Sequence, residues 1–436
     1  MRGLVSYPGN FMDAQQAARA FHEQGVLAAF VTGLVLDDKH VLRRLSALGL
    51  PASVSRRVTK ELRRRAITEV PPDLIISYPW LETLRAMLAR FAKNPIGADM
   101  AWDLLAHKFD RTVARRHLAG IHMVYAFEYT ARNTFEHAKD EGIARILGMP
   151  SIDSSEFEDI KNREESRFPE LRTRHHDYFA RRFDKRYERR RAEIALADII
   201  IANSEETRRS HVRAGADAAR VVTVPLAAPP PIEEVVKPVS DLVEPLSVIW
   251  AGGFKLGKGA HYFVDAWRVL RAGSRARACV YGTIELPDRV LRPLPAGLHL
   301  MGPVLQEDLF AAFERADVLI FPTLADGFGM VVTEAFSRGL PVITTDKAGA
   351  SDMVEHKRNG FIIPATDSNA ITDTLHWCLD NREALYEMRF AALQTAREWQ
   401  WPDYRRKLIT KITEGLRRSG YDLYFGSERP ASEPPS

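Results

Sequence analysis

Short apolar runs alternate with stretches of helical spacing along most of this 436-residue chain. Apolar runs of about four to eight residues, bounded by Gly, Pro or polar residues, are typical of buried parallel strands. The pattern predicts strands at residues 3–7, 26–31, 73–78, 120–127, 197–202, 221–224, 246–251, 277–281, 298–303, 318–321, 342–344 and 361–363. Helical spacing between many of them, for example at 13–23, 259–271 and 369–397, indicates an α/β protein with parallel sheets. The length calls for two or three domains.

One strand–loop–helix unit carries the strongest chemical signal. The apolar run Val318–Phe321 is followed by a loop with Gly327 and Gly329, and a helical pattern begins directly after that loop. Glycines let a backbone approach a ligand closely, and amide groups at a helix start suit a phosphate. Asp326 precedes the loop, and Glu334 lies eight positions further on the helix. Carboxylates near a diphosphate suit sugar or ribose hydroxyls, which donate hydrogen bonds to them.

At these residues the chain resembles glycosyltransferase family 4, the retaining nucleotide-sugar enzymes of GT-B architecture. The shared residues are an acid at Asp326, Gly327-Phe328-Gly329, Glu334-Ala335 and Gly339-Leu340-Pro341-Val342-Ile343. The family usually has Glu where this chain has Asp326, which puts the sugar preference in question more than the chemistry. The ordered combination is far more specific than a glycine loop alone.

The resemblance implies a donor site for a nucleotide-diphosphate sugar, whether a UDP-, GDP- or ADP-sugar. Its donor contacts would be Gly9, Gly253, Lys255, Lys258, Met301, Gly302, Val304, Asp326, Gly327, Phe328, Gly329, Met330, Val331 and Glu334. The groups assigned to catalysis are Asp326, Glu334, Lys258 and Glu128. The leaving phosphate would take the acceptor proton on the same face of the sugar, so the resemblance implies retention without a protein nucleophile, a cofactor or a metal.

The glycine-rich turn at 252–259 departs from the family pattern at one cation. The pair Lys258-Gly259 matches the family's Lys-Gly pair for the donor diphosphate, but the family's Arg position falls on Gly253. Lys255, within the same loop, is the candidate substitute for the missing Arg. A lysine at a helix start can neutralise phosphate with a mobile ammonium.

The resemblance implies two doubly wound Rossmann-like domains facing a cleft, with ligands at the carboxyl ends of the strands. The predicted segments are an N-terminal acceptor domain at 1–226, a linker at 227–245, a donor domain at 246–397, a helix at 398–418 that returns to the first domain, and a disordered tail at 419–436. Pro- and Ala-rich composition marks the linker.

The first domain carries weaker signals. Gly9 and Asn10, after the first strand, would by resemblance face the transferred sugar or the acceptor, or else form an ordinary strand–helix turn. Glu128, at the end of strand 120–127, is a candidate acceptor or sugar contact, and His122 within that strand is interpreted as a core histidine. Asn203 is interpreted as a helix cap, with a capping box to Glu206.

Two arginine- and lysine-rich segments, 51–65 and 181–191, allow two interpretations. One is a docking patch for an anionic membrane surface or an anionic acceptor. The other, which the scarcity of apolar anchors favours, is a solvated helix face with Glu61, Asp184 and Glu188 as partners. The net charge of +4 gives no reason to expect nucleic-acid binding.

The sequence predicts a cytoplasmic protein, either free or peripheral to the inner face of a membrane, because no signal or spanning segment is evident. The two cysteines, Cys279 and Cys378, suit buried thiols in a reducing compartment. The acceptor would be a glycan, a lipid-linked sugar or a small molecule. Three functions stay open: a retaining glycosyltransferase, a GT-B epimerase or phosphorylase, and a non-catalytic nucleotide-sugar-binding protein.

Overall fold

The computed structural model describes residues 1–9, 11–33, 70–79, 95–238, 243–271 and 273–422. The chain divides into two compact units, which interleave along the sequence. Unit 1 comprises Met1–Met149, Asp177–Ile201 and Arg405–Ser436, and unit 2 comprises Pro150–His176 and Ala202–Tyr404. The predicted domain bounds follow chain order and stay a prediction. Asn10, the basic segment 51–65, part of the linker and most of the predicted tail lie outside the described residues.

The first sheet has seven strands in the order β3-β2-β1-β4-β5-β6-β7. Its strands are β1 (Gly3–Tyr7), β2 (Leu27–Thr32), β3 (Ile75–Ser77), β4 (Met123–Phe127), β5 (Ala144–Met149), β6 (Ile199–Ala202) and β7 (Val221–Thr223). β1 pairs in parallel with both β2 and β4, so the strand order reverses direction at β1. β4 is buried along its whole length, as its unbroken apolar run predicts.

Described helices of this part of the chain connect the strands of the first sheet. They are α1 (Met12–Glu23), α2 (Pro95–Arg116), α3 (Arg132–Asp140), α4 (Ser154–Arg167), α5 (Arg174–Ala180), α6 (Phe183–Leu196) and α7 (Glu205–Arg213). α4 belongs to unit 2, although it lies between β5 and β6 in the chain. The first turn of α3 is capped by the buried carboxylates of Glu193 and Asp110, which accept from backbone amides at 2.5–3.1 Å.

The second sheet has six parallel strands in the order β10-β9-β8-β11-β12-β13. They are β8 (Leu246–Ala251), β9 (Ala276–Tyr281), β10 (Leu298–Gly302), β11 (Val318–Phe321), β12 (Val342–Thr345) and β13 (Gly360–Ile363). Trp250 on β8 is fully buried and lies 4.8 Å from the Phe254 ring and 5.8 Å from the Phe263 ring, centroid to centroid. These aromatic contacts fix the end of β8 against the helix that follows it.

The helices of the second sheet follow its strands in turn. They are α8 (Ala260–Leu270), α9 (Asp288–Leu291), α10 (Gln306–Arg315), α11 (Met330–Phe336), α12 (Ser368–Asp380) and α13 (Arg382–Glu398). The last described helix, α14 (Trp401–Arg418), buries Leu408, Ile412 and Leu416 at helical spacing. Arg405 of α14 donates to Glu23 and Gln16 of α1, both at 2.7 Å.

The two sheets with their covering helices are the α/β, GT-B fold class that the sequence predicts. Every pair in the second sheet is parallel, and β1 is flanked by parallel partners in the first. Among the described helices, none has the combination of length and apolar character that a membrane span requires.

Candidate donor site

Two loops of unit 2 begin at the point where the order of the second sheet reverses. β8 lies between β9 and β11, so the chain runs outward from β8 in one direction and from β11 in the other. The loops after β8 and β11 therefore leave the same edge of the sheet side by side, which is where open parallel sheets bind ligands. Gly257 of the first loop accepts from the Leu324 amide at 3.0 Å and from the Thr323 hydroxyl at 3.2 Å, which ties the loops together.

Gly259 allows this close approach of the two loops. Its φ is +72°, in the left-handed region that L side chains avoid. A Cβ at this position would lie 2.0 Å from the Pro322 carbonyl oxygen. The Lys258-Gly259 pair thus combines a cation with the one residue type that lets its loop touch the loop after β11.

Lys258 and Asp326 are in direct contact. The Lys258 ammonium pairs with one Asp326 oxygen, and both side chains are partly buried. The ammonium also lies 5.3 Å from the centroid of the Phe321 ring, which adds a cation–π attraction. The other Asp326 oxygen accepts from the Phe328 amide at 3.2 Å. Lys258 and Asp326, for which the resemblance implies separate roles, form one ion pair here.

The loop after β11, which contains Gly327 and Gly329, packs tightly against neighbouring residues. A Cβ on Gly327 would lie 2.2 Å from the Pro150 carbonyl oxygen, and one on Gly329 would lie 2.7 Å from the Phe321 ring. Gly329 has φ +87° and stands directly before α11. Phe328 is buried, whereas Met330 and Val331 are half-buried on the helix start. Close contact therefore favours glycine at both positions, and the left-handed backbone favours it at Gly329 as well.

The loop after β8 also shows what stands in place of the family's arginine. A Cβ on Gly253 would lie 3.6 Å from the Lys255 Cδ and Cε atoms. The Lys255 stem thus runs beside the position where an arginine side chain would begin, and Lys255 is exposed. The Glu285 carboxylate lies still closer to the same position, at 3.2 Å, and the role of Lys255 as the substitute cation stays a prediction.

Glu334 lies on α11 and is partly buried. Burial raises the pKa of its carboxyl above the ordinary value, and a hydrogen bond with the Gln306 side chain offsets part of the rise. An acid with a raised pKa in the folded protein favours folding at low pH, and this contribution is lost as pH rises through the raised value. Burial thus disfavours the ionised form of Glu334, and additional hydrogen-bond donors would reduce that cost.

Three of the predicted donor contacts, Met301, Gly302 and Val304, lie at or just after the end of β10. Met301 is 52% exposed and Val304 is 36% exposed, and Gly302 has φ +73°. The Gly302 carbonyl accepts from the Gly282 amide at 3.0 Å, which holds the turn to the end of β9. Exposed apolar side chains at the carboxyl end of a strand suit the flat face of a base.

The candidate site residues that belong to unit 1 are Gly9, Asn10 and Glu128. A Cβ on Gly9 would lie 2.8 Å from the Tyr7 ring, and Asn10 lies outside the described residues. Glu128 is 8% exposed, and its carboxylate lies 3.0 Å from the Arg190 Nε atom. The structure thus gives Glu128 an internal arginine partner.

The arginines of segment 181–191 pair with acids of unit 1. Arg186 contacts Asp99 at 2.5 Å and Asp103 at 2.8 Å, and Arg182 contacts Asp103 at 2.6 Å. Arg189 pairs with Asp110. These are not the partners Glu61, Asp184 and Glu188 that the sequence suggests, because the acids come from α2, far away in the chain. Carboxylates thus hold four arginines of the proposed membrane patch: Arg182, Arg186, Arg189 and Arg190.

Sequence reasoning missed two groups next to the loops. Ser204 and Thr207 donate to the Gly327 carbonyl at 2.5 and 3.0 Å. Glu164 of α4 accepts from the buried His261 at 3.0 Å and from Tyr262 at 2.8 Å on α8. Nothing in local spacing joins these pairs, although Ser204 directly follows Asn203, the residue predicted as a helix cap. Within the described part of the chain, no three His, Cys, Asp or Glu residues gather in a way that could hold a metal ion.

The sequence family "Glycosyl transferases group 1" matches residues 245–381, which hold both loops and Glu334. Sucrose-phosphate synthase of Zea mays is 30% identical over 101 residues, which is 23% of this chain and 10% of that protein. D-inositol 3-phosphate glycosyltransferase of Jonesia denitrificans is 26% identical over 228 residues, which is 46% of this chain and 53% of that protein. The chain thus spans about a tenth of the first relative and about half of the second.

The fold is shared over nearly the whole chain with the Anabaena protein Alr3699/HepE, whose structure holds UDP-glucose. That structure has a TM-score of 0.58 and 15% sequence identity, and the match covers 95% of this chain and 100% of the Anabaena chain.

Proposed function

We propose, from the premise that residues 245–381 belong to the glycosyl transferases group 1 family, that the protein moves a sugar from a nucleotide-diphosphate donor to an acceptor hydroxyl. One observation carries the proposal. The loops after β8 and β11 meet where the sheet order reverses, and they bring Lys258 into contact with Asp326 beside a glycine turn. The site thus combines a cation, a carboxylate and a glycine backbone that a ligand can approach closely. This combination suits a ligand that carries both phosphates and hydroxyls.

Lys258 is the proposed diphosphate ligand. A lysine ammonium has three N–H donors, so a contact with Asp326 leaves donors for phosphate oxygens. Lys255, beside Gly253, supplies a second positive charge in the same loop. The amides around Gly329 complete the phosphate contacts in this proposal.

Glu334 is the proposed ribose ligand, and Asp326 is the proposed ligand for hydroxyls of the transferred sugar. A partly buried carboxylate gains from hydroxyl donors, since each such hydrogen bond to a charged group contributes about 1.5–3 kcal/mol. Burial raises the pKa of Glu334, which is consistent with a carboxylate that further hydrogen-bond donors would stabilise. The base would lie against Met301 and Val304 at the end of β10.

In the proposed reaction the bond between the anomeric carbon and the phosphate oxygen breaks, and a bond from that carbon to the acceptor oxygen forms. The acceptor proton passes to the leaving phosphate oxygen on the same face, so the anomeric configuration is retained. Lys258 offsets the charge that develops on the diphosphate. No cofactor takes part in this proposal.

A donor panel tests the proposal. The protein is incubated with UDP-glucose, GDP-mannose and ADP-glucose, and release of nucleoside diphosphate is followed with and without sugar and lipid acceptors. Transfer or slow hydrolysis of one donor supports the proposal. Epimerised donor without an acceptor would indicate an epimerase, dependence on added phosphate would indicate a phosphorylase, and binding without turnover would indicate a binding protein.

Asp326→Glu is expected to change which sugar is preferred. The longer side chain moves the carboxylate by about one C–C bond, roughly 1.5 Å. The ratio of kcat/KM values for two donors that share a base but differ in the sugar should change about tenfold or more. Affinity for the nucleoside diphosphate alone serves as the control and should stay nearly constant. An unchanged sugar ratio would remove Asp326 from the sugar-binding role.

Lowering the pH is expected to weaken nucleotide binding through Glu334. Protonation removes the negative charge and turns one of the two acceptor oxygens into a donor, and the raised pKa brings this loss to a higher pH than for an ordinary glutamate. Calorimetric titration between pH 8 and pH 5 should show an extra loss of about tenfold, the size of one hydrogen bond to a charged group. Glu334→Gln should lack this extra loss but keep the titration of the ligand's own phosphate. Equal pH profiles in both proteins would contradict the assignment.

A further inference from the structure

Two hydroxyl groups donate hydrogen bonds to the same carbonyl oxygen in the loop after β11. Ser204 donates to the Gly327 carbonyl at 2.5 Å, and Thr207 lies 3.0 Å from the same oxygen. Both side chains are fully buried. Ser204 is also the N-cap of α7 and accepts from the Thr207 amide at 3.0 Å. A cap needs only to accept, so the donation to Gly327 is a second function of the same hydroxyl.

The anchored carbonyl sets the direction of the next amide. In a planar trans peptide the C=O and the following N–H point in opposite directions. With the Gly327 carbonyl directed at Ser204, the Phe328 amide faces the opposite side, where it donates to Asp326 at 3.2 Å. The other Asp326 oxygen contacts Lys258. A continuous chain of contacts therefore runs from Ser204 to the loop ion pair.

We propose that Ser204, assisted by Thr207, is a positioning residue that fixes the Asp326 carboxylate and, through it, the Lys258 ammonium. This inference rests on the proposed function, because it gives those two groups a donor to contact. The backbone of Asp326 is already held, since its amide donates to the Lys347 carbonyl and its own carbonyl accepts from the Gly349 amide, both at 3.0 Å. What Ser204 adds is the orientation of the amide that holds the Asp326 side chain.

The Gly327 carbonyl and the Ser204 hydroxyl are closely packed against Gly349. A Cβ on Gly349 would lie 2.1 Å from the Gly327 oxygen and 2.4 Å from the Ser204 oxygen. Without the hydroxyls, the Gly327 carbonyl would be buried with lost donors, which favours rotation of the peptide toward other partners. Thr207 shares its single proton between Gly327 and the Asn203 side chain, which lies 2.9 Å away. Ser204 is therefore the stronger of the two anchors.

The test compares Ser204→Ala, Thr207→Val and Thr207→Ser with the intact protein. A matched control is Asp367→Ala, which removes the N-cap of α12 in the same unit without contact to the loop. Amide hydrogen exchange of the peptide covering 326–331 is measured without ligand. Affinities for UDP-glucose, GDP-mannose, ADP-glucose and their nucleoside diphosphates are measured by calorimetry.

Ser204→Ala should speed exchange in that peptide and weaken nucleotide-sugar binding about tenfold, the loss expected for one misplaced charged contact. Thr207→Val should weaken it less, and Thr207→Ser should restore the intact value. Asp367→Ala should lower the melting temperature without changing affinity. Unchanged exchange in Ser204→Ala, or an equal loss of affinity in Asp367→Ala, would overturn the positioning role. An intact protein that binds none of the nucleotides overturns the proposed function itself, while the exchange measurement still decides whether Ser204 anchors the loop.

Discussion

Replacing Lys258 with alanine is expected to slow release of nucleoside diphosphate from the donor sugar by about 100- to 1,000-fold. Loss of one preorganised donor to a developing oxyanion has effects of this size in other enzymes. Lys258 is partly buried and its ammonium contacts Asp326, so its position is fixed before the donor arrives. The variant also leaves Asp326 without its cation near the departing phosphates, which adds a repulsive term.

The measurement is the single-turnover rate with the best donor of the panel. Lys255→Ala is the matched control, since it removes an exposed cation from the same loop and should cost no more than about tenfold. Lys258→Arg should recover part of the rate, because a guanidinium keeps the charge with a different shape. A Lys258→Ala protein that is folded and as fast as the intact protein would refute the assigned role.

Gly259→Ala is expected to destabilise unit 2 by about 2–5 kcal/mol. A left-handed backbone costs an L residue roughly 1–2 kcal/mol, and overpacking adds about 1–3 kcal/mol. The added methyl would lie 2.0 Å from the Pro322 carbonyl oxygen, so either loop must move. Because the two loops are joined through Gly257, this movement also separates Lys258 from Asp326.

Urea denaturation measures this loss, and Gly273→Ala is its control. Gly273 has φ +60° in the same unit, but a Cβ there meets nothing within 4 Å. The control should therefore show the conformational cost alone. Equal losses in both variants would mean that the contact with Pro322 does not hold the loops in place.

Local pattern was sufficient for the elements that carry the donor site. The strands at 246–251 and 318–321 have the predicted bounds, because each is an apolar run with a Gly or Pro stop. The parallel sheets also follow from strand–helix alternation. The predicted helix at 369–397 is two helices, α12 and α13, separated at Asn381, where the backbone leaves helical geometry.

Side-chain partners that come from distant parts of the chain could not be predicted. His122 is exposed, not a core histidine, since β4 begins one residue later and the His122 Nδ1 accepts from the Arg2 amide at 3.1 Å. The cap of α7 is Ser204, one residue after the predicted Asn203. The strand predicted at 120–127 begins at Met123, and the predicted cap is displaced to Ser204, because the exact ends of elements depend on backbone geometry that local pattern does not specify.

In the candidate site, too, the sequence pattern identified residues but not the contacts between them. Motif spacing indicated Lys258, Asp326 and Glu334, but it gave no sign that Lys258 and Asp326 pair with each other. That contact depends on the order of strands β8 and β11 in the sheet, which spacing along the chain does not contain. The roles of these residues toward a donor stay predictions until a ligand is bound.

A crystal structure of the protein with the best-binding nucleotide sugar would show directly which residues hold the donor. We expect diphosphate oxygens within hydrogen-bond distance of the Lys258 ammonium, ribose hydroxyls on the Glu334 carboxylate and sugar hydroxyls on Asp326. A nucleotide bound away from the loops after β8 and β11, or a diphosphate that leaves Lys258 paired with Asp326 alone, would contradict this expectation.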